Sequence, residues 1–240
     1  MNDLLVRTDR GEVGATFRLS PFITDWEAGR LAFISCIADD FGDLLNPRPH
    51  DFSSAVPADL GEAWCKYRVF GGASTAILRP EALQLTFPNA IETDYPIIFE
   101  MLRRMLKVLL PRIGGYDRQS YTVIDNHHAA IVEGESEAYL SEFANRKMSD
   151  AMRHEVGVEC RPSVGFTLRS TDGNRVLRRS IEQSEILSNG LFITNHIFVS
   201  LPELTEFDDE RSWIGQINKL ANRASGIVYQ EEERNDDSGT

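Results

Sequence analysis

Five histidines, three cysteines and one short acidic run are the residues of this chain whose types could do chemistry. A metal centre would need imidazoles, thiolates or carboxylates spaced so that their donor atoms reach one point. His50, His127, His128, His154 and His196 form no HxH or HExxH pattern. His127 and His128 are adjacent, and neighbours on a strand project to opposite faces, so they cannot chelate together without a turn between them. Cys36, Cys65 and Cys160 lie far apart with no CxxC pair. An odd, sparse set of this kind reads as packed, reduced thiols, not a disulfide framework or structural zinc.

The run Asp39–Asp40–Phe41–Gly42–Asp43 contains the letters of a kinase magnesium loop. Its other machinery is missing: there is no glycine-rich phosphate loop, strand lysine motif or HRD triplet. The spacing of a calcium hand is also absent. The run reads as a solvated loop or helix end. Gly71–Gly72 and Gly114–Gly115 are isolated pairs, and no serine sits in GxSxG. The sequence therefore names no catalytic residue, metal ligand or cofactor. One enzymatic alternative stays open, a metal-assisted hydrolase converging Asp39, Asp40, Asp43 and His127 or His128 across the fold. Another is a small-ligand sensor in a cleft between two halves of the chain.

Two features point instead to binding. Arg161, Arg169, Arg175, Arg178 and Arg179 gather in one strand-rich stretch, with Asp172 the one acid among its turn residues. In a chain of net charge −12, such a cluster suits docking of a carboxylate-rich or phosphorylated partner. Charges that blunt a sheet edge are the alternative. The segment Leu191–Ser200 reads as a strand with Leu191, Ile193, Ile197 and Val199 on one face and Phe192, Thr194, His196 and Phe198 on the other. Two apolar faces suit a central strand between layers, or a strand that meets another subunit. By contrast, Arg103, Arg104 and Lys107 share the polar side of a helix, where Glu100 stands at pairing distance.

The elements that position these residues follow from periodicity. Ala15–Leu19 alternates as a strand and Pro21 ends it. Leu31–Phe41 is apolar without a deciding period, so strand and short helix both fit. Residues 42–60 hold three prolines and read as a long loop. Trp64–Phe70, Ala73–Leu78 and Leu83–Phe87 form an antiparallel meander separated by Gly71–Gly72 and Arg79–Glu81. A helix follows over Tyr95–Leu110, with Ile97, Ile98, Met101, Leu102, Met105, Leu106 and Leu109 on its apolar face. Tyr121–Ile124 and Ala129–Val132 read as a hairpin or one bent strand. A helix then runs from Ser136 or Glu135 to about Arg153. Val164–Leu168, Val176–Glu182 and Leu191–Ser200 follow as strands, and a last helix starts at Asp208 or Asp209.

Meander then amphipathic helix thus occurs twice. The expected fold is α+β, with antiparallel sheet or sheets covered by amphipathic helices in two similar halves, residues 1–118 and 119–229. Residues 230–240 carry five acids against one base and no apolar anchor, which predicts a disordered acidic tail.

The order YRVFGGASTAILRPEALQLTF, then Tyr95–Pro96–Ile97–Ile98–Phe99 opening a long helix, resembles a sporadically distributed bacterial family of uncharacterised α+β proteins. That family implies no catalytic residues. The acidic composition with meanders and long helices is also loosely similar to the export chaperone SecB, which implies a chaperone-like binding role. No apolar run reaches membrane-spanning length, and the opening residues lack a signal-peptide centre. The strongly acidic balance opposes general nucleic-acid binding. The expectation is a cytoplasmic, non-enzymatic protein that binds another protein or itself, with a homodimer favoured.

Overall fold

The computed structural model describes residues 3–69, 72–90, 94–113, 119–143, 163–171, 173–201 and 207–230. The fold is α+β, built on one large, mainly antiparallel sheet. Strand β1 (Leu4–Arg18) is far longer than the alternation at 15–19 predicts. Its buried positions are Leu4 and Val6, then Val13, Ala15 and Phe17, so the parity changes midway. A bulge between Thr8 and Arg10 supplies the extra residue that returns the second set to the same side of the sheet. That shift hides the strand from a period-two reading.

The undecided segment is helical. Helix α1 (Trp26–Ser35) starts where the Asp25 carboxylate accepts the Ala28 N–H at 3.1 Å, and a π-helical turn over Cys36–Asp40 continues it. Trp26, Phe33 and Ile37 lie on its buried side, a helical spacing. Residues 42–60 are not one structureless loop. They hold helix α2 (Gly42–Leu45), a 3₁₀ turn at Pro49–Asp51 and strand β2 (Phe52–Ala55). The prolines sit at or between element ends, where a missing N–H costs little.

The predicted meander is present as β3 (Trp64–Val69), β4 (Ser74–Leu78) and β5 (Ala82–Pro88). Helix α3 (Tyr95–Arg104) runs on through a π-helical turn to Arg112. The second half opens with β6 (Gln119–Ile131), a single strand and not a hairpin. Helix α4 is described over Ser136–Phe143, and the rest of its expected length lies outside the described residues. Then come β7 (Val164–Arg169), β8 (Arg175–Gln183), β9 (Gly190–Leu201), helix α5 (Phe207–Ser225) and a short β10 (Ile227–Tyr229). Gly226, at φ +64°, turns the chain out of α5 into β10.

The strand order is β2-β3-β4-β5-β1-β6-β9-β8-β7, with β10 running parallel to the start of β1. The two long opening strands, β1 and β6, pair antiparallel at the centre. Outward from them, β5-β4-β3 on one side answers β9-β8-β7 on the other, and each set of three is a meander. Residues before and after 118 therefore build one continuous sheet.

Helices pack on one face of that sheet. Phe17, Tyr67, Leu83, Leu85, Val123, Leu177 and Ile197 meet Phe33, Ile37, Ile98, Met101, Met105 and Ile217 in the main core. A smaller core joins Val6, Ala129, Ile181, Leu191 and Ile193 to Tyr139 and Leu140 of α4. Burial of an apolar side chain of this size contributes about 1.5–3 kcal/mol each. Cys36 and Cys65 lie in the main core, where burial pushes their thiols up to about 12 and about 11. They are inert packing groups at neutral pH.

Candidate functional site

Strand parity divides the predicted binding residues between the two faces of the sheet. On β9 the odd positions from Leu191 to Val199 are buried, and the even positions Phe192, Thr194, His196 and Phe198 line the other face. On β8 the same alternation parts two adjacent arginines: Arg178 is exposed, whereas Arg179 is 3% exposed beneath the helices. Arg179 is therefore no part of a surface cluster. Leu177 and Ile181 on either side of it show the reason, since all three share the covered face. Arg175 has the same parity and is half-buried, while Arg169 is exposed on the outer side of edge strand β7. Arg161 lies outside the described residues. The five-arginine patch thus becomes Arg169 and Arg178 on the open face.

Beneath the helices a chain of polar groups crosses the second half. His127 on β6 contacts Asp125 through Nδ1 at 3.3 Å and the Tyr229 hydroxyl through Nε2 at 2.5 Å. The Asn195 amide donates to Asp125 at 3.2 Å and accepts from Arg179 Nε at 2.7 Å. Arg179 also donates to Asn222 Oδ1 at 2.7 Å on α5, and the Tyr139 hydroxyl donates to the Ser225 carbonyl at 2.7 Å. Burial lowers the Arg179 pKa, with partial compensation from the fields of Tyr229 and Asp125. Desolvating a cation and a carboxylate is costly, and the Asn195 bridge lets each offset the other. This chain ties α5 and β10 to the sheet; its members are structural cross-links.

The open face is ordered by cross-strand register. One row runs Arg178, His196, Ile124 over β8, β9 and β6. Two residues along lies Ser180, Thr194, Asn126, and two further lies Glu182, Phe192, His128. The Arg178 guanidinium stands 5.4 Å over the Phe198 ring, a cation–π contact. His128 and Phe192 stack with centroids 4.7 Å apart. Phe198 is 36% exposed.

At the Glu182 end the turn after β8 folds over the same face. A Cβ on Gly190 would meet Leu187 Cβ at 2.6 Å, so only glycine lets this turn close. The Ser184 hydroxyl accepts the Ile186 and Leu187 N–H groups at 3.2 and 3.0 Å. With both lone pairs engaged, its proton is left for His128 Nδ1 at 2.9 Å. His128 is thereby fixed as the Nε2–H tautomer, and burial, with Arg10 nearby, lowers its pKa. His128, Phe192, Glu182, Glu185 and Ile186 border a cavity of about 710 Å³ whose described lining holds two carboxylates and no basic side chain other than the neutral imidazole.

Two acids of the hydrolase alternative, Asp40 and Asp43, are engaged elsewhere. Arg104 binds Asp43 at 2.7 Å and Glu100 at 2.8 Å, and Arg112 binds Asp40 at 2.8 Å, which joins α3 to the α1–α2 segment. His127 and His128 face opposite sides, as their adjacency predicts. Among the described residues, no three His, Cys, Asp or Glu side chains are grouped to hold a metal. The two halves meet along the β1–β6 ladder, and the described cavity lies on β6, β8 and β9.

Sequence reading reached Phe192, His196 and Phe198 correctly as one strand face. It missed the partnership of Asp125, Asn195, Asn222 and Tyr229, because residues so far apart in the chain carry no spacing signal. It also missed Glu182 and His128 as the ends of the open-face row. The alternation Leu177–Arg179–Ile181 was the signal that could have parted the two arginines.

No protein-family model matches this chain, and no curated protein does. Among solved structures it is similar to the di-domain ARO/CYC StfQ from the steffimycin biosynthetic pathway, at 11% identity and TM-score 0.22 over 90% of this chain and 95% of that one. A nonspecific heme-binding cyclase of neoabyssomicin biosynthesis matches at 14% identity and TM-score 0.16, over 97% of this chain and 84% of that one. Likeness at these scores carries no inference about activity. No helix of the described residues is long and apolar enough to cross a membrane.

Proposed function

We propose that the chain is a non-enzymatic protein-docking module whose open sheet face, centred on β9, binds another protein or a second copy. One observation carries this reading: among the described residues, one face of these strands is closed by helices while the other presents Phe198, His196, Arg178 and Phe192 side by side. An antiparallel sheet tolerates one solvated face, but its outward residues are then mostly polar. Here Ile124, Phe192 and Phe198 interrupt the polar set, and contact with a partner would remove their apolar surface from water. Aromatic rings and an arginine are also the side chains that anchor protein interfaces most often.

A photo-crosslinking residue in place of Thr194 tests the reading in the producing cell. The same residue at Leu31, 51% exposed on α1, serves as the comparison. The reading expects protein adducts, to the chain itself or to a partner, from position 194 well above those from position 31. Equal or no adducts from position 194 would overturn it.

A further inference from the structure

We infer that the occupant of the open face is a second copy of this chain, packed face to face about a two-fold axis that runs along the Ser180–Thr194–Asn126 row. The inference rests on the docking reading above and specifies its partner. Three features of the face make it complementary to itself.

The first is charge. Arg178 lies two residues before Ser180 on β8 and Glu182 two residues after it, both exposed and both on the open face. A two-fold axis in the interface plane, perpendicular to the strands through Ser180, brings Arg178 of each copy over Glu182 of the other. Both pairs form at once, as an isologous contact requires. Stacking β8 over β8 with the strands parallel would instead set Arg178 on Arg178 and Glu182 on Glu182.

The second is shape. The axial row consists of Ser180, Thr194 and Asn126, flanked on β7 by Gly165. Small residues there let two sheets approach to the roughly 10 Å of aligned sheet packing. The bulky rows stand on either side of it and fall opposite one another: His196 over Phe192, and Ile124 over His128. The third is apolar matching. Phe198, four residues from the axis, faces the far end of the partner's β9, where Ile186, 49% exposed, and Leu187 fold over Gly190. The cavity walled by that turn and its two carboxylates takes the arginine and aromatic end of the other copy. A heterologous partner would need none of this reciprocity.

The experiment is light scattering after size exclusion on the full chain, with Arg178→Glu and Glu182→Arg singly, mixed and combined. Both residues are exposed, so a wild-type far-ultraviolet circular dichroism spectrum and a cooperative unfolding transition confirm intact folds. Wild type is expected to be a dimer. Each single variant sets like charges together twice and should weaken the dimer at least tenfold. An equal mixture of the two single variants restores both pairs in a heterodimer, and the double variant restores them in a homodimer. A wild-type monomer at the highest attainable concentration overturns the inference, as do single variants that remain dimeric or a double variant that remains monomeric. If wild type is monomeric while position 194 still crosslinks another protein, self-pairing fails and the docking reading stands. If it is monomeric and position 194 yields no adduct, both fail.

Discussion

The two faces of the sheet spend the same residue types on opposite ends. His127 and His128 are neighbours on β6, yet His127 is locked between Asp125 and Tyr229 under the helices, while His128 stacks on Phe192 beside a cavity. Arg178 and Arg179 are neighbours on β8, yet Arg179 is a buried donor to Asn195 and Asn222, while Arg178 lies over Phe198 in the open. Residue type therefore says little here about role. Parity along the strand says most of it, because a step of one residue moves a side chain from the packed layer to the free one.

Breaking that contrast should give its largest effect at the arginine pair. Arg179→Ala leaves Asp125 and Asn195 buried without their cation and should cost about 3–5 kcal/mol in urea unfolding. Arg178→Ala removes an exposed group and, at a concentration too low for association, should change stability by about 0.5 kcal/mol or less. Equal losses at both positions would erase the distinction between the faces.

A second pair sharpens it on β9. Asn195→Leu takes away the donor to Asp125 and the acceptor for Arg179, each about 1–3 kcal/mol when left unsatisfied. Thr194→Val, one residue away, should be near neutral in the same denaturation. A neutral Asn195→Leu would mean that the buried chain of polar groups does not hold α5 and β10 in place.

The polar side of helix α3 offers a test by pH. Glu100 lies between Arg103 and Arg104, which hold its carboxyl down from 4.5 to about 2, with its hydrogen bond from Arg103 the largest cause. In the unfolded chain it titrates at its ordinary value, so the stabilisation is complete above about pH 4.5 and is lost as pH falls toward 2. Thermal unfolding of Glu100→Gln should fall below wild type at neutral pH and converge with it in acid. A gap that widens in acid would contradict the assignment.

The smallest effect concerns His128. Its Nδ1 accepts from Ser184, so nitrogen-detected NMR should show an unprotonated Nδ1, an Nε2–H and a titration midpoint below 6.5. Ser184→Ala should release the tautomer to a mixture. A midpoint above 6.5 would show that the ring is not held neutral by its surroundings.

Much of the fold was legible because its elements are locally periodic. The meander at 64–88, the helix from Tyr95 and the strand at 190–201 each carry their own signal. Strand β1 was cut short in the reading because the bulge at Thr8–Arg10 breaks its alternation. Strand β10 is three residues long and exists through pairing with β1, a contact that no local pattern encodes. The segment 42–60 read as loop because its pieces of three and four residues are too short to show a period. At the site, the aromatic face of β9 was readable from alternation, while its mates Glu182, His128 and Ile124 depend on register between strands far apart in sequence.

The most direct measurement is an aspartate scan along β9 from Phe192 to Val199, recording the unfolding midpoint and the association state of each variant. The account predicts a period of two. Aspartate at the apolar positions 193, 197 and 199 collapses the fold, while aspartate at 192, 194, 196 and 198 keeps a cooperative unfolding transition and abolishes association. Even-numbered variants that unfold like their neighbours, or that associate as wild type does, would contradict it.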